Sequence, residues 1–156
     1  MKLVGHTGDG WQYQLNPAEA DCLRSLLNRF PITANATVKI SRTTSDPQTV
    51  DREKLLNESL ADHREKLKKK AASLIAAHKF KARGKSRLWC INSEERETLF
   101  QVLNDLRVGS WRALGEPENL EIQTPYPTGK DQVFYHIMNL AGYFEYNLLH
   151  HEEAEN

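Results

Sequence analysis

Residues 15–28 read Leu-Asn-Pro-Ala-Glu-Ala-Asp-Cys-Leu-Arg-Ser-Leu-Leu-Asn, and residues 91–104 read Ile-Asn-Ser-Glu-Glu-Arg-Glu-Thr-Leu-Phe-Gln-Val-Leu-Asn. The two stretches align without a gap at an offset of 76 residues. Each starts on an apolar residue, follows it with Asn, and places Glu three positions later. Asn is a favoured helix N-cap because its side-chain oxygen accepts an orphan backbone N–H, and Glu at the third helical position reaches back to the cap's own N–H. Pro17 suits the first helical position, where a missing donor costs nothing. Beyond the caps, apolar residues recur at spacings of three and four: Ala20, Leu23, Leu26, Leu27 and Phe30, then Leu99, Val102, Leu103 and Leu106. That spacing makes one buried face of an amphipathic helix. Two explanations of the likeness stay open, common ancestry and independent capped helices obeying the same physics.

Outward from the caps, Trp11, Tyr13 and Leu15 alternate with Gln12 and Gln14, as in a half-buried strand. Gly8-Asp9-Gly10 signals a turn before it, and Leu3-Val4 offers a hairpin partner. Leu88 to Ile91 read as a second strand running straight into the second cap. Two strands that each deliver a helix predict a small sheet pairing 11–15 with 88–91, with the helices on its one apolar side.

Two further helices are expected. One spans 48–80, with Leu56, Leu60, Leu67, Ala71 and Leu74 as its apolar line, Ala77 or His78 extending it, His63 filling a gap, and a candidate break at 59–62. The other spans 131–150 and buries Val133, Phe134, Ile137, Leu140, Ala141, Phe144 and Leu148. Val38 and Ile40 are a candidate short strand within a Thr- and Ser-rich stretch, 79–87 and 116–130 read as loops, and 151–156 as a disordered tail. The expected fold class is mostly α: a helical domain with a small antiparallel or two-stranded sheet and two similar strand-cap-helix units. Residues 1–150 make a single helical domain.

The run 16–27 resembles the N-terminal helix of an uncharacterised bacterial family, domain of unknown function 2017 (DUF2017). So does the second strand with Glu94-Glu95, then Val102-Leu103-Asn104-Asp105-Leu106-Arg107 and Leu114-Gly115. Leu140-Ala141-Gly142-Tyr143-Phe144 is similar to the family's last helix. The likeness covers about half of the chain and departs in 66–87 and 116–130. It implies a bacterial cytoplasmic helical domain, and brings neither an established activity nor catalytic residues.

Lys plus Arg and Asp plus Glu number 21 each, so the net charge is zero and gives no global pull toward nucleic acid or a membrane surface. No run approaches the length of a membrane span. The two cysteines, Cys22 and Cys90, are far apart and sit in apolar patterns, which argues against a disulfide framework or a metal cluster. Gly84-Lys85-Ser86 resembles the end of a phosphate-binding loop, but Lys79 stands where the motif needs its first glycine. His150-His151 sit beside Glu152-Glu153 at unsuitable spacing for chelation. The expectation is therefore no catalytic residue, no metal site and no cofactor.

Two function classes remain. The first is a non-enzymatic cytoplasmic protein-interaction or regulatory domain, binding a protein partner or forming a homo-oligomer, with Tyr135, Tyr143 and Tyr146 of the aromatic last helix as contact residues. The second is nucleic-acid or polyanion binding through the basic segment 66–87. Between Arg64 and Arg87 stand ten basic residues against Glu65. Lys68, Lys69, Lys79, Lys81, Arg83, Lys85 and Arg87 are the candidates to meet phosphates, with Phe80 and Trp89 flanking as stacking groups.

Overall fold

The computed structural model describes residues 1–8, 10–32, 47–76, 79–118 and 128–150. Their elements are β1 (Lys2–Thr7), β2 (Gly10–Leu15), α1 (Pro17–Leu27), α2 (Pro47–Leu74), β3 (Phe80–Arg83), β4 (Ser86–Asn92), α3 (Ser93–Ala113) and α4 (Lys130–Leu149). The strands form one antiparallel sheet in the order β1-β2-β4-β3. This corrects the expected two-stranded sheet. The pairing of 11–15 with 88–91 is present at its centre, and a further strand flanks it on each side. On one side, β1 is the hairpin partner suggested by Leu3-Val4. On the other, the expected basic loop is a hairpin of β3 and β4. Its edge strand was hidden because only Phe80 is buried while Lys81, Ala82 and Arg83 are exposed, so no apolar alternation marks it.

The caps form as the sequence dictates. The Asn16 side chain accepts from the Glu19 N–H at 2.8 Å while Glu19 Oε2 accepts from the Asn16 N–H at 2.8 Å. Asn92 and Glu95 repeat both bonds at 2.8 and 3.0 Å. The repetition extends well beyond the caps. Gly5 pairs with Gln12, His6 with Trp11 and Thr7 with Gly10; their counterparts 76 residues on pair identically, Lys81 with Leu88, Ala82 with Arg87 and Arg83 with Ser86. Gly8 and Gly84 turn the two hairpins with φ of 55° and 58°, a region open to glycine because it has no Cβ. Between the units, Tyr13 faces Trp89, its own counterpart, while Trp11 faces the counterpart of Leu15 and Leu15 the counterpart of Trp11. That reciprocity defines a pseudo-twofold relation between two hairpin-cap-helix units, centred on the Tyr13–Trp89 pair.

One sheet face and the helices make the core. Tyr13, Leu15, Trp89 and Ile91 are buried under Leu23, Leu26 and Leu27 of α1 and Leu99, Val102, Leu103 and Leu106 of α3. Trp89 is fully buried, stacks on Phe80 with centroids 5.7 Å apart, and donates its indole N–H to the Leu74 carbonyl at 3.0 Å. The most extensive helix–helix contact joins α3 and α4; α2 packs on α3 and α1 on α4.

Helix α2 is continuous through the expected break at 59–62 and ends at Leu74, six residues early, where the chain turns into the edge strand. Leu67, Ala71 and Leu74 are buried, but Leu56 is exposed. His63 is exposed rather than filling the stripe; Arg64 points inward instead, 3.9 Å from Asp105 of α3. Val133, expected in the core, is 40% exposed, for the reason given below. The candidate strand at Val38 and Ile40, the helix extension at Ala77 or His78, and the tail 151–156 lie outside the described residues.

Candidate functional site

Helices α1 and α4 pack together, and a polar cluster joins them near the start of α1. Glu19 Oε1 accepts from the Tyr143 hydroxyl at 2.6 Å and from the Met1 ammonium, and Met1 N also lies 2.7 Å from the Tyr143 oxygen. Burial alone would raise the Glu19 carboxyl; the bonds from Met1, Tyr143 and the Asn16 N–H together hold it below its ordinary range. The hydrogen bond to Glu19, with burial behind it, pushes the Tyr143 phenol up to about 12. In the second unit Glu95, the counterpart of Glu19, pairs its Oε1 with the Lys79 ammonium.

Between α1 and α4 lies a groove of two adjoining depressions, of about 250 and 320 Å³. The nearer is lined by Cys22, Ser25, Leu26, His136 and Leu140, the farther by Pro31, Ile32, Lys130 and Phe134; Arg29, Val133 and Ile137 belong to both. Val133 is exposed because it lines both depressions. From Lys130 to Leu140 the groove follows α4 for about 15 Å, at a rise of about 1.5 Å per residue. Its floor is apolar. Arg29 and Lys130 are both exposed, stand on opposite walls, and meet no carboxylate among the described residues. Cys22 and His136 share the nearer depression without a hydrogen bond between them.

The structure does not gather the expected aromatic contacts. Tyr143 closes the polar end of the groove. Tyr135 and Tyr146 lie three turns apart on another side of α4, Tyr135 half-buried and Tyr146 stacked on His150 at 3.7 Å. The groove residues Arg29, Lys130, Val133 and His136 were not singled out by sequence, since an apolar residue in a helical stripe reads as core.

The basic segment is divided by the fold. Part of its charge is paired with carboxylates: Arg64 with Asp105 at 3.9 Å, Lys66 with Asp62 at 2.7 Å and Lys70 with Glu94 at 2.8 Å on α2, and Lys79, after the helix, with Glu95. Lys68 and Lys69 are exposed on α2, in the helical layer. Lys81, Arg83, Lys85 and Arg87 are exposed on the β3–β4 hairpin, and none has an ion-pair partner among the described residues. Gly84-Lys85-Ser86 is the tip of that hairpin, not a strand-to-helix loop. The stacking pair fails too, because Phe80 and Trp89 are buried against each other.

No family model, curated protein or solved structure matches this chain. None of the described helices is long and apolar enough to cross a membrane.

Proposed function

We propose that this chain is a non-enzymatic, cytoplasmic protein-interaction domain that receives an amphipathic helix in the groove between α1 and α4. The observation that carries this reading is the elongated apolar floor that the described residues form between α4 on one side and α1 with the segment after it on the other. Its length matches about three helical turns, which an incoming helix meets with anchors at i, i+3 or i+4, and i+7. Arg29 and Lys130 on facing walls favour a partner with carboxylates flanking its apolar stripe. So small a footprint suits a reversible contact rather than an obligate one. Membership of the DUF2017 family belongs to the same reading and adds no activity to it.

A photo-crosslinking residue at position 133, compared with one at the exposed Asn139 on the outer side of α4, tests the assignment in cells. A discrete adduct is expected at 133 alone, and Leu140→Glu should abolish it. A light-scattering mass of two chains would identify the occupant as a second copy. Equal labelling at 133 and 139, or no adduct at 133 from a strictly monomeric protein, overturns the reading.

A further inference from the structure

Among the described residues no helix packs on the second face of the sheet, and its charge is one-sided. Side chains directly opposite each other in antiparallel strands share a face. Register therefore places Lys2, Gln14, Leu88 and Lys81 in one row across all four strands, with Gln12 and Cys90 in the next and Arg83 and Ser86 in the row toward the hairpin tip. None of these residues is buried. Among the described residues this face carries no carboxylate. Strands about 4.8 Å apart put Lys2 and Lys81 at about 14 Å across the sheet, and alternate residues put Lys81 and Arg83 about 7 Å apart along it. Lys85 is exposed in the turn that follows Arg83. Gln14 Nε2 donates to Ser86 Oγ at 2.9 Å, and Ser86 Oγ donates to the Arg83 carbonyl at 2.9 Å, which fixes the strand that presents the cations.

A charge run is most often a solvated surface with no partner. The internal repeat separates that explanation from a functional one. The first hairpin has the same register at the same positions, yet holds Gly5, Thr7 and Trp11 where the second holds Lys81, Arg83 and Arg87. The hairpin therefore does not need cations to form. Nor do these cations neutralise neighbouring acids, as Lys66, Lys70 and Lys79 do.

We propose that this sheet face, through Lys2, Lys81, Arg83 and Lys85, binds the phosphodiester backbone of nucleic acid. This is a second surface, independent of the groove. Arg87 projects from the opposite face and Lys68 and Lys69 belong to the helical layer, so all three fall outside it. Among the described residues this face has no aromatic ring to stack on bases, so binding is set by phosphate charge and carries no base preference.

Fluorescence polarisation with a short labelled single-stranded oligonucleotide tests this on the full chain. Four neutralised phosphates give a slope of log K against log salt of about −3, so affinity falls about 50-fold between about 50 and 200 mM salt. Oligonucleotides of different sequence should behave alike. Lys81→Gln and Arg83→Gln should each flatten the slope by about 0.7, and the triple variant with Lys85→Gln should reduce it to below about 1. Lys68→Ala/Lys69→Ala should leave it unchanged. Far-UV circular dichroism confirms that each variant is folded, and the single variants carry the test if the triple one is not. Absence of salt-dependent binding, retention of the full slope by the sheet variants, or loss on the Lys68/Lys69 change overturns the proposal. Capture by anionic lipid vesicles with no capture of the oligonucleotide overturns it equally.

Discussion

Glu19 performs two tasks with its two oxygens. One closes the capping box of α1, and the other holds α4 through Tyr143. The sequence made the first task plain and was silent on the second, since the Tyr143 contact spans 124 residues. Because the folded carboxyl titrates below its ordinary value of 4.5, its stabilisation is present above that value and is lost as pH falls through the folded pKa. Glu19→Gln should cost about 1 kcal/mol at neutral pH, and the gap to the parent should close as urea midpoints are followed into acid. Tyr143 works in the opposite sense. Its folded pKa is raised, so its contribution is present below the ordinary value of 10 and is lost as pH rises through about 12. Absorbance titration of the tyrosinates should show a component near pH 12 that Tyr143→Phe removes.

At the scale of elements, the capped helices were legible because capping is local. Asn16 lies within one turn of Glu19, and Asn92 of Glu95, so neither pair needed a tertiary partner to be read. Asn16→Ala and Asn92→Ala should each lower stability by about 1 kcal/mol in thermal or urea unfolding. Strand β3 was illegible for the converse reason. An edge strand owes its structure to backbone bonds with β4, and three of its four side chains face water. Its residues therefore read as a basic loop. Helix α2 shows the same limit: periodicity found Leu67, Ala71 and Leu74 but chose His63 over Arg64, because an inward arginine is justified only by Asp105 across the interface.

At the scale of the whole molecule, the Tyr13–Trp89 pair joins the two units, and Trp89 also ties in α2 through Leu74. Trp89→Ala removes a fully buried ring and leaves the Leu74 carbonyl without its indole donor. The expected cost is about 3–5 kcal/mol, a large share of the stability of a domain of this size. Unfolding followed by circular dichroism and by the fluorescence of Trp11 and Trp111 should shift together, since the sheet is shared by both units. Separate transitions would show that the units unfold independently.

By itself the sequence determined the two strand-cap-helix units, the central strand pairing and most of the core, because those depend on residues near one another in the chain and on the period of the apolar pattern. Only the tertiary structure decided that the sheet has four strands, that each unit is a hairpin-cap-helix repeated about Tyr13 and Trp89, and which cations are spent on carboxylates. It also decided where surface is left uncovered. The α1–α4 groove and the second sheet face are set by how the described elements pack against one another. A helical stripe or a strand alternation carries no record of that.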